Sequence, residues 1–155
     1  NDVQYLKSIT TIVPQNDRII FTQGIEHIED FYKTRKNNYF SFFHGDFTPW
    51  NMYVEQNELF VFDFEFSEKK FPPHMDLLHC FLQILILEKK LCAEEIFPRL
   101  ETFKKKNNIC TTLVICYLVH ILSFYFRLYN GKYDTSDNGY IIWSSLLKKQ
   151  LNNTI

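Results

Sequence analysis

One segment limits what this chain can become. Ile109 to Phe126 runs for 18 residues with no acid or base except His120. Such a stretch has to leave water, either across a bilayer or into a helical core. Thr111, Thr112, His120 and Ser123 interrupt its apolar character, and Arg127 follows at once. Its length is also at the lower edge for a spanning helix. The expectation is a buried helix in an α-rich soluble lobe, with a membrane-associated helical protein as the weaker alternative. At 46% apolar and 23% charged residues the chain lies outside the range of disordered sequences. Its 155 residues suffice for one well-buried core, so a single domain over 1–155 is expected.

A net charge of −1, from 17 basic and 18 acidic residues, argues against a nucleic-acid partner held by a broad basic surface. The run Lys104-Lys105-Lys106 reads as a solvated helix end rather than a phosphate patch. Cys80, Cys92, Cys110 and Cys116 form no CxxC pair and have no histidine at a zinc-ligand spacing. Cys80, Cys110 and Cys116 lie in apolar runs, where free cysteine acts as a small hydrophobe. A reducing, cytoplasmic compartment follows. The chain opens on Asn1 with no signal-peptide pattern, which reads as a piece of something longer.

Apolar periodicity predicts a helix over 23–36, with Ile25, Ile28, Phe31 and Tyr32 on one face and Asn37-Asn38 at its end. Tyr39 to Phe43 reads as a short aromatic strand. A polar and aromatic loop over 44–51 is broken by Gly45 and Pro49. Residues 52–54 and 59–62 are the arms of a predicted hairpin turning at Glu55-Gln56-Asn57-Glu58. Ser67 to His74 is polar and ends in Pro72-Pro73, a non-helical stop. Helices are predicted near 75–90, 93–106, 109–129 and 138–150.

Chemistry concentrates at two places. The first is His44-Gly45-Asp46-Phe47-Thr48-Pro49-Trp50-Asn51, and the second is Val61-Phe62-Asp63-Phe64-Glu65. The predicted hairpin returns the chain beside its start, which brings Asn51 and Asp63 to one end of the two arms. Phosphoryl transfer needs an in-line nucleophile and cations that neutralise the phosphates. Mg²⁺ takes hard oxygen ligands, one or two carboxylates plus phosphate oxygens. Asp63 and the amide oxygen of Asn51 are such ligands, and Glu65 is a candidate for a second metal or a supporting role. Asp46 is placed to accept or orient the proton of an attacking hydroxyl. Asp63 ends the apolar run 59–62, where an unpaired charge is costly unless something binds it. His44 reads as a structural hydrogen-bonder, Asp76 as a holder of the loop or of a helix N-terminus, and Phe47 and Trp50 as packing.

These motifs resemble the aminoglycoside phosphotransferase and choline/ethanolamine kinase family of kinase-like enzymes. Asp63-Phe64-Glu65 resembles the choline kinase version in particular, and Asp76 in Pro-Pro-His-Met-Asp-Leu-Leu fits the family's further Asp. A bare H-x-D-x-x-x-x-N recurs by chance in roughly 2% of chains this long, so the second motif carries much of the specificity. The resemblance covers about residues 39–80. It implies an α+β fold, a kinase-like C-terminal catalytic lobe with the hairpin and catalytic loop packed on a mostly helical bundle. It further implies ATP and Mg²⁺ as co-substrate and cofactor, Asp46 as catalytic base, and Asn51 and Asp63 as the metal and nucleotide ligands. The acceptor would be a hydroxyl of an amino alcohol, an aminoglycoside or a sugar. Residues 1–38 contain no glycine-rich loop and no Val-Ala-Ile-Lys-like strand, so the nucleotide lobe is expected to be absent. The face it would cover is then left for self-association. A kinase-like binding module without catalysis, or an inactive fragment, is the competing reading.

Overall fold

Helix formation follows the apolar spacing closely in the second half of the chain. The computed structural model describes residues 7–8, 10–11, 13–35, 39–129 and 132–154. Its elements are α1 (Arg18–Thr34), β1 (Ser41–Phe43), β2 (Met52–Glu55), β3 (Glu58–Val61), β4 (Glu68–Phe71), α2 (Met75–Gln83), α3 (Ala93–Lys106), α4 (Thr111–Leu128) and α5 (Asn138–Asn152). A 3-10 turn, Pro49–Asn51, precedes β2, and a π-helical segment, Ile84–Glu88, extends α2. The fold is mixed α+β, as expected. Its residues divide into two compact units, 1–38 with 104–155 and 39–103.

The first unit is helical and built around α4. Leu113 to Val119, Ile121, Leu122 and Phe126 are all buried, and α4 packs against both α1 and α5. Phe21, Gly24, Ile25 and Ile28 supply the face of α1. From α5 comes Trp143, whose ring meets Tyr117 edge-on at 5.9 Å. By length and composition α4 could cross a membrane, but 67% of its apolar window is buried within the fold, as in a core helix.

Three details differ from expectation. α1 starts at Arg18, because a turn from Pro14 leads straight into it and Phe21 already lies in register with Ile25 and Ile28. Its predicted end at Asn37-Asn38 falls outside the described residues. Lys104 is buried rather than solvated, and its ammonium donates to Thr111 Oγ1 and Gln150 Oε1, each at 3.0 Å. Cys110 is exposed, since it caps α4 instead of joining its apolar face.

The second unit holds two antiparallel two-stranded sheets, β1 with β4 and β2 with β3. In the hairpin, Met52 pairs with Val61 and Glu55 with Glu58. Gln56 and Asn57 form its two-residue turn with φ of 50° and 65°, the left-handed pair whose twist suits a tight hairpin. Strand β4 lies in the stretch read only as polar. It pairs Ser41 with Phe71 and Phe43 with Glu68, and the Phe43 and Phe71 rings stack at 4.4 Å. Further on, Phe81 and Phe103 stack at 3.9 Å where α2 meets α3. The hairpin arms are apolar in composition yet open to solvent: Tyr53, Val54, Leu59, Phe60 and Phe62 are exposed.

Candidate functional site

The site starts from a glycine. Gly45 has φ of +93°, and a Cβ there would sit 2.5 Å from the carbonyl oxygen of Phe66 and 2.6 Å from its Cβ. Only glycine lets the 44–46 loop pass this close to the Phe66 backbone. On either side of that contact, hydrogen bonds tie the two motifs together. The His44 ring places Nε2 3.0 Å from the Phe62 carbonyl, and its Nδ1 accepts the Asp46 N–H at 3.3 Å. A carbonyl only accepts, so the bond assigns the proton to Nε2 and leaves Nδ1 as the acceptor. Both ring nitrogens are therefore used in holding the loop, consistent with a structural His44. Phe62 N–H in turn donates to the Asn51 carbonyl at 3.1 Å.

Helix α2 holds the loop from below. Its Asp76 carboxylate accepts the His44 N–H at 2.9 Å and the Gly45 N–H at 3.3 Å. One turn later on the same face, His79 Nε2 lies 3.1 Å from Asp46 Oδ1. The other carboxylate oxygen, Oδ2, accepts the Asn51 amide N–H at 2.8 Å, and the same Nδ2 donates to the Asp46 carbonyl at 3.0 Å. The Asp46 side chain remains 34% exposed, whereas that of His79 is only 4% exposed. The His79 hydrogen bond holds the Asp46 carboxyl below its usual value; burial opposes this, while the His79 charge, the Asn51 hydrogen bond and His44 add to it. Asp46 is thus an ionised, aligned carboxylate with an open side.

Asn51 is buried, and its amide nitrogen faces two oxygens of Asp46. That fixes the amide orientation, with Oδ1 the amide atom not committed to Asp46. The Phe62–Asn51 backbone bond continues the hairpin ladder, so Asp63 follows directly from the residue paired with Asn51, at the open end of the arms as expected. Its burial is a correction: Asp63 is exposed, so the cost of an unpaired buried charge does not apply to it. Asp63 has a left-handed backbone at φ of 66°, a conformation it shares with Gln56, Asn57, His74, Lys90 and Asn108 and one that aspartate adopts more readily than most residues. Glu65 is exposed in the turn Phe64–Ser67, closed by the Ser67 N–H to Phe64 carbonyl bond at 3.0 Å, and it does not join the Asp46 network. Among the described residues, no three His, Cys, Asp or Glu side chains are grouped to hold a metal ion. The donors that fit Mg²⁺ are the Asn51 amide oxygen and the Asp63 carboxylate, a sparse set of the kind completed by phosphate oxygens.

His79 escaped the sequence reading. Its signal was the three-residue spacing from Asp76, which puts both on one helix face, but the apolar neighbours Leu77, Leu78 and Phe81 disguised it as a core position. Trp50, read as packing, is 45% exposed beside Asn51. Compared with known proteins, the chain matches no family model, no curated protein and no solved structure.

Proposed function

We propose that this protein is an ATP- and Mg²⁺-dependent phosphotransferase that passes the γ-phosphoryl group to a hydroxyl of a small molecule, an amino alcohol, an aminoglycoside or a sugar. The observation that carries the reading is Asp46: a carboxylate aligned by a donor on each oxygen yet still open on one side. In that role it accepts a hydrogen bond from the acceptor hydroxyl and orients it for attack. Asn51 ties its own nitrogen to Asp46, which leaves its oxygen for a ligand, so one side chain links the base to the metal position. Asp63 offers the carboxylate of that position, and Glu65 stands farther along the same segment as a candidate for a second ion. Mg²⁺, when bound, neutralises phosphate charge. The His44–Phe62 bond and the Gly45–Phe66 contact keep the base segment and the Asp63 segment in fixed register.

A phosphotransfer assay on the full-length protein, over a panel of amino alcohols, aminoglycosides and sugars, tests this reading. Asp46→Asn should lower turnover by about 10²–10⁴-fold and leave Mg-ATP binding near wild type, since it removes a base but no metal ligand. Asp63→Ala should remove the Mg²⁺ dependence of nucleotide binding. No turnover of any acceptor, with no Mg-dependent ATP binding, sinks the enzyme reading. It would favour the alternative, a kinase-like module that uses the exposed aromatic residues of β2 and β3 to bind a partner.

A further inference from the structure

We propose that His79 is a positioning residue, which fixes the Asp46 carboxylate in a single rotamer turned toward the open side of the site. An aspartate side chain has two rotatable bonds, and a donor on one oxygen leaves it free to swing about that contact. Asp46 has a donor on each oxygen, and the two come from different elements. Asn51 reaches Oδ2 at 2.8 Å from the 3-10 turn, while His79 reaches Oδ1 at 3.1 Å from α2. Two donors on two oxygens fix both torsions at once. His79 is buried, so it acts through Asp46 and does not meet a substrate. Its Nε2 carries the hydrogen in either charge state when it faces a carboxylate, so it orients the base and does not take the base's proton. Asp76, one turn earlier on α2, holds the backbone N–H groups of His44 and Gly45. The same helix face thereby sets the path of the loop with one residue and the direction of its functional side chain with another. The consequence for turnover rests on the phosphotransferase reading; the rotamer itself does not.

The test is nuclear magnetic resonance on the labelled full chain, reading the Hα–Hβ scalar couplings of Asp46. Wild type should show one rotamer, His79→Ala should show averaged couplings, and His79→Gln, which keeps an N–H donor, should recover the single rotamer. The reverse reading uses Asp46→Ala: the His79 Nε2 proton, slow to exchange in wild type, should exchange markedly faster. Unchanged Asp46 couplings in His79→Ala, averaged couplings in wild type, or an indifferent His79 proton in Asp46→Ala each overturn the proposal. If His79→Ala fails to fold, the Asp46→Ala measurement decides it. Where an acceptor is turned over, His79→Ala should lower kcat about 10–100-fold with little change in acceptor KM, and His79→Gln should regain most of the loss. An unchanged kcat in His79→Ala also overturns the proposal. A rotamer that responds as stated in a protein with no turnover of any acceptor supports the positioning role and refutes the phosphotransferase reading separately.

Discussion

The two units use their apolar residues in opposite ways. In the helical unit, α4 is enclosed by α1 and α5, and its large side chains are almost all buried. In the unit over 39–103, the hairpin leaves Tyr53, Leu59, Phe60 and Phe62 exposed, and order near the motifs comes from hydrogen bonds around Asp46 and Asp76. One unit is held by volume and the other, near its motifs, by direction. Packing tolerates conservative change in shape but not loss of size, whereas a directed network tolerates loss of apolar surface but not loss of a donor or a backbone angle.

The largest expected effect lies in the helical unit. Trp143→Ala should cost about 3–5 kcal/mol, measured by urea unfolding, because it empties a buried site against Tyr117. A cost under about 1 kcal/mol would mean that this core is loose and would break the contrast. Next come the two glycines. Gly45→Ala should destabilise its unit by about 1–3 kcal/mol or more, since it adds a strained φ and a backbone clash with Phe66. Gly24→Ala should cost about 1–3 kcal/mol by packing alone, because its Cβ would crowd Val119 Cγ2, a buried and stiff β-branched neighbour at 2.9 Å, and helix propensity returns only about 1 kcal/mol of that. Amide hydrogen exchange at His44–Asp46 should rise in the first variant and not in the second. Faster exchange at His44–Asp46 in Gly24→Ala as well would break the contrast.

A smaller effect concerns acid. The folded Asp46 carboxyl lies below its ordinary value of 3.8, chiefly through the His79 hydrogen bond. The folded state therefore holds fewer protons at this group, and its contribution to stability is present above the ordinary value and lost as pH falls through the folded one. Unfolding curves recorded from neutral pH down into that range should show this loss in wild type, and Asp46→Asn should flatten it. The smallest effect belongs to the hairpin. Phe60→Ser should change stability by about 0.5 kcal/mol or less, and analytical ultracentrifugation should show less self-association. A large loss of stability instead would mean that the Tyr53–Phe60 stack supports the fold.

Much of the fold was legible because the helices carry their own period. The starts of α2, α3 and α5 fall where apolar spacing and caps place them. The hairpin was legible from its polar turn. Strand β4 was not, because Glu68-Lys69-Lys70 shows no alternation and becomes a strand only by pairing with β1. Exposure of the arms was also hidden, since composition reports what a residue prefers and not whether a second layer exists to cover it. At the site, Asp46 and Asn51 were read from residue type and spacing, and Asp76 from the family resemblance. His79 was not, because a histidine among leucines reveals a hydrogen-bond partner only when the 33-residue separation from Asp46 is closed in space. Lys104 was missed for a similar reason: its neutral partner Gln150 lies 46 residues away.

The chain has two tryptophans, and each falls in a different unit. Trp143 is sealed against Tyr117, while Trp50 stands half open to water beside Asn51. Their emission is accordingly separable without any label. Acrylamide should quench the red-shifted Trp50 component and spare the blue-shifted Trp143 component. The protein thus carries its own two-channel optical readout, with one channel next to the candidate site and the other in the helical core.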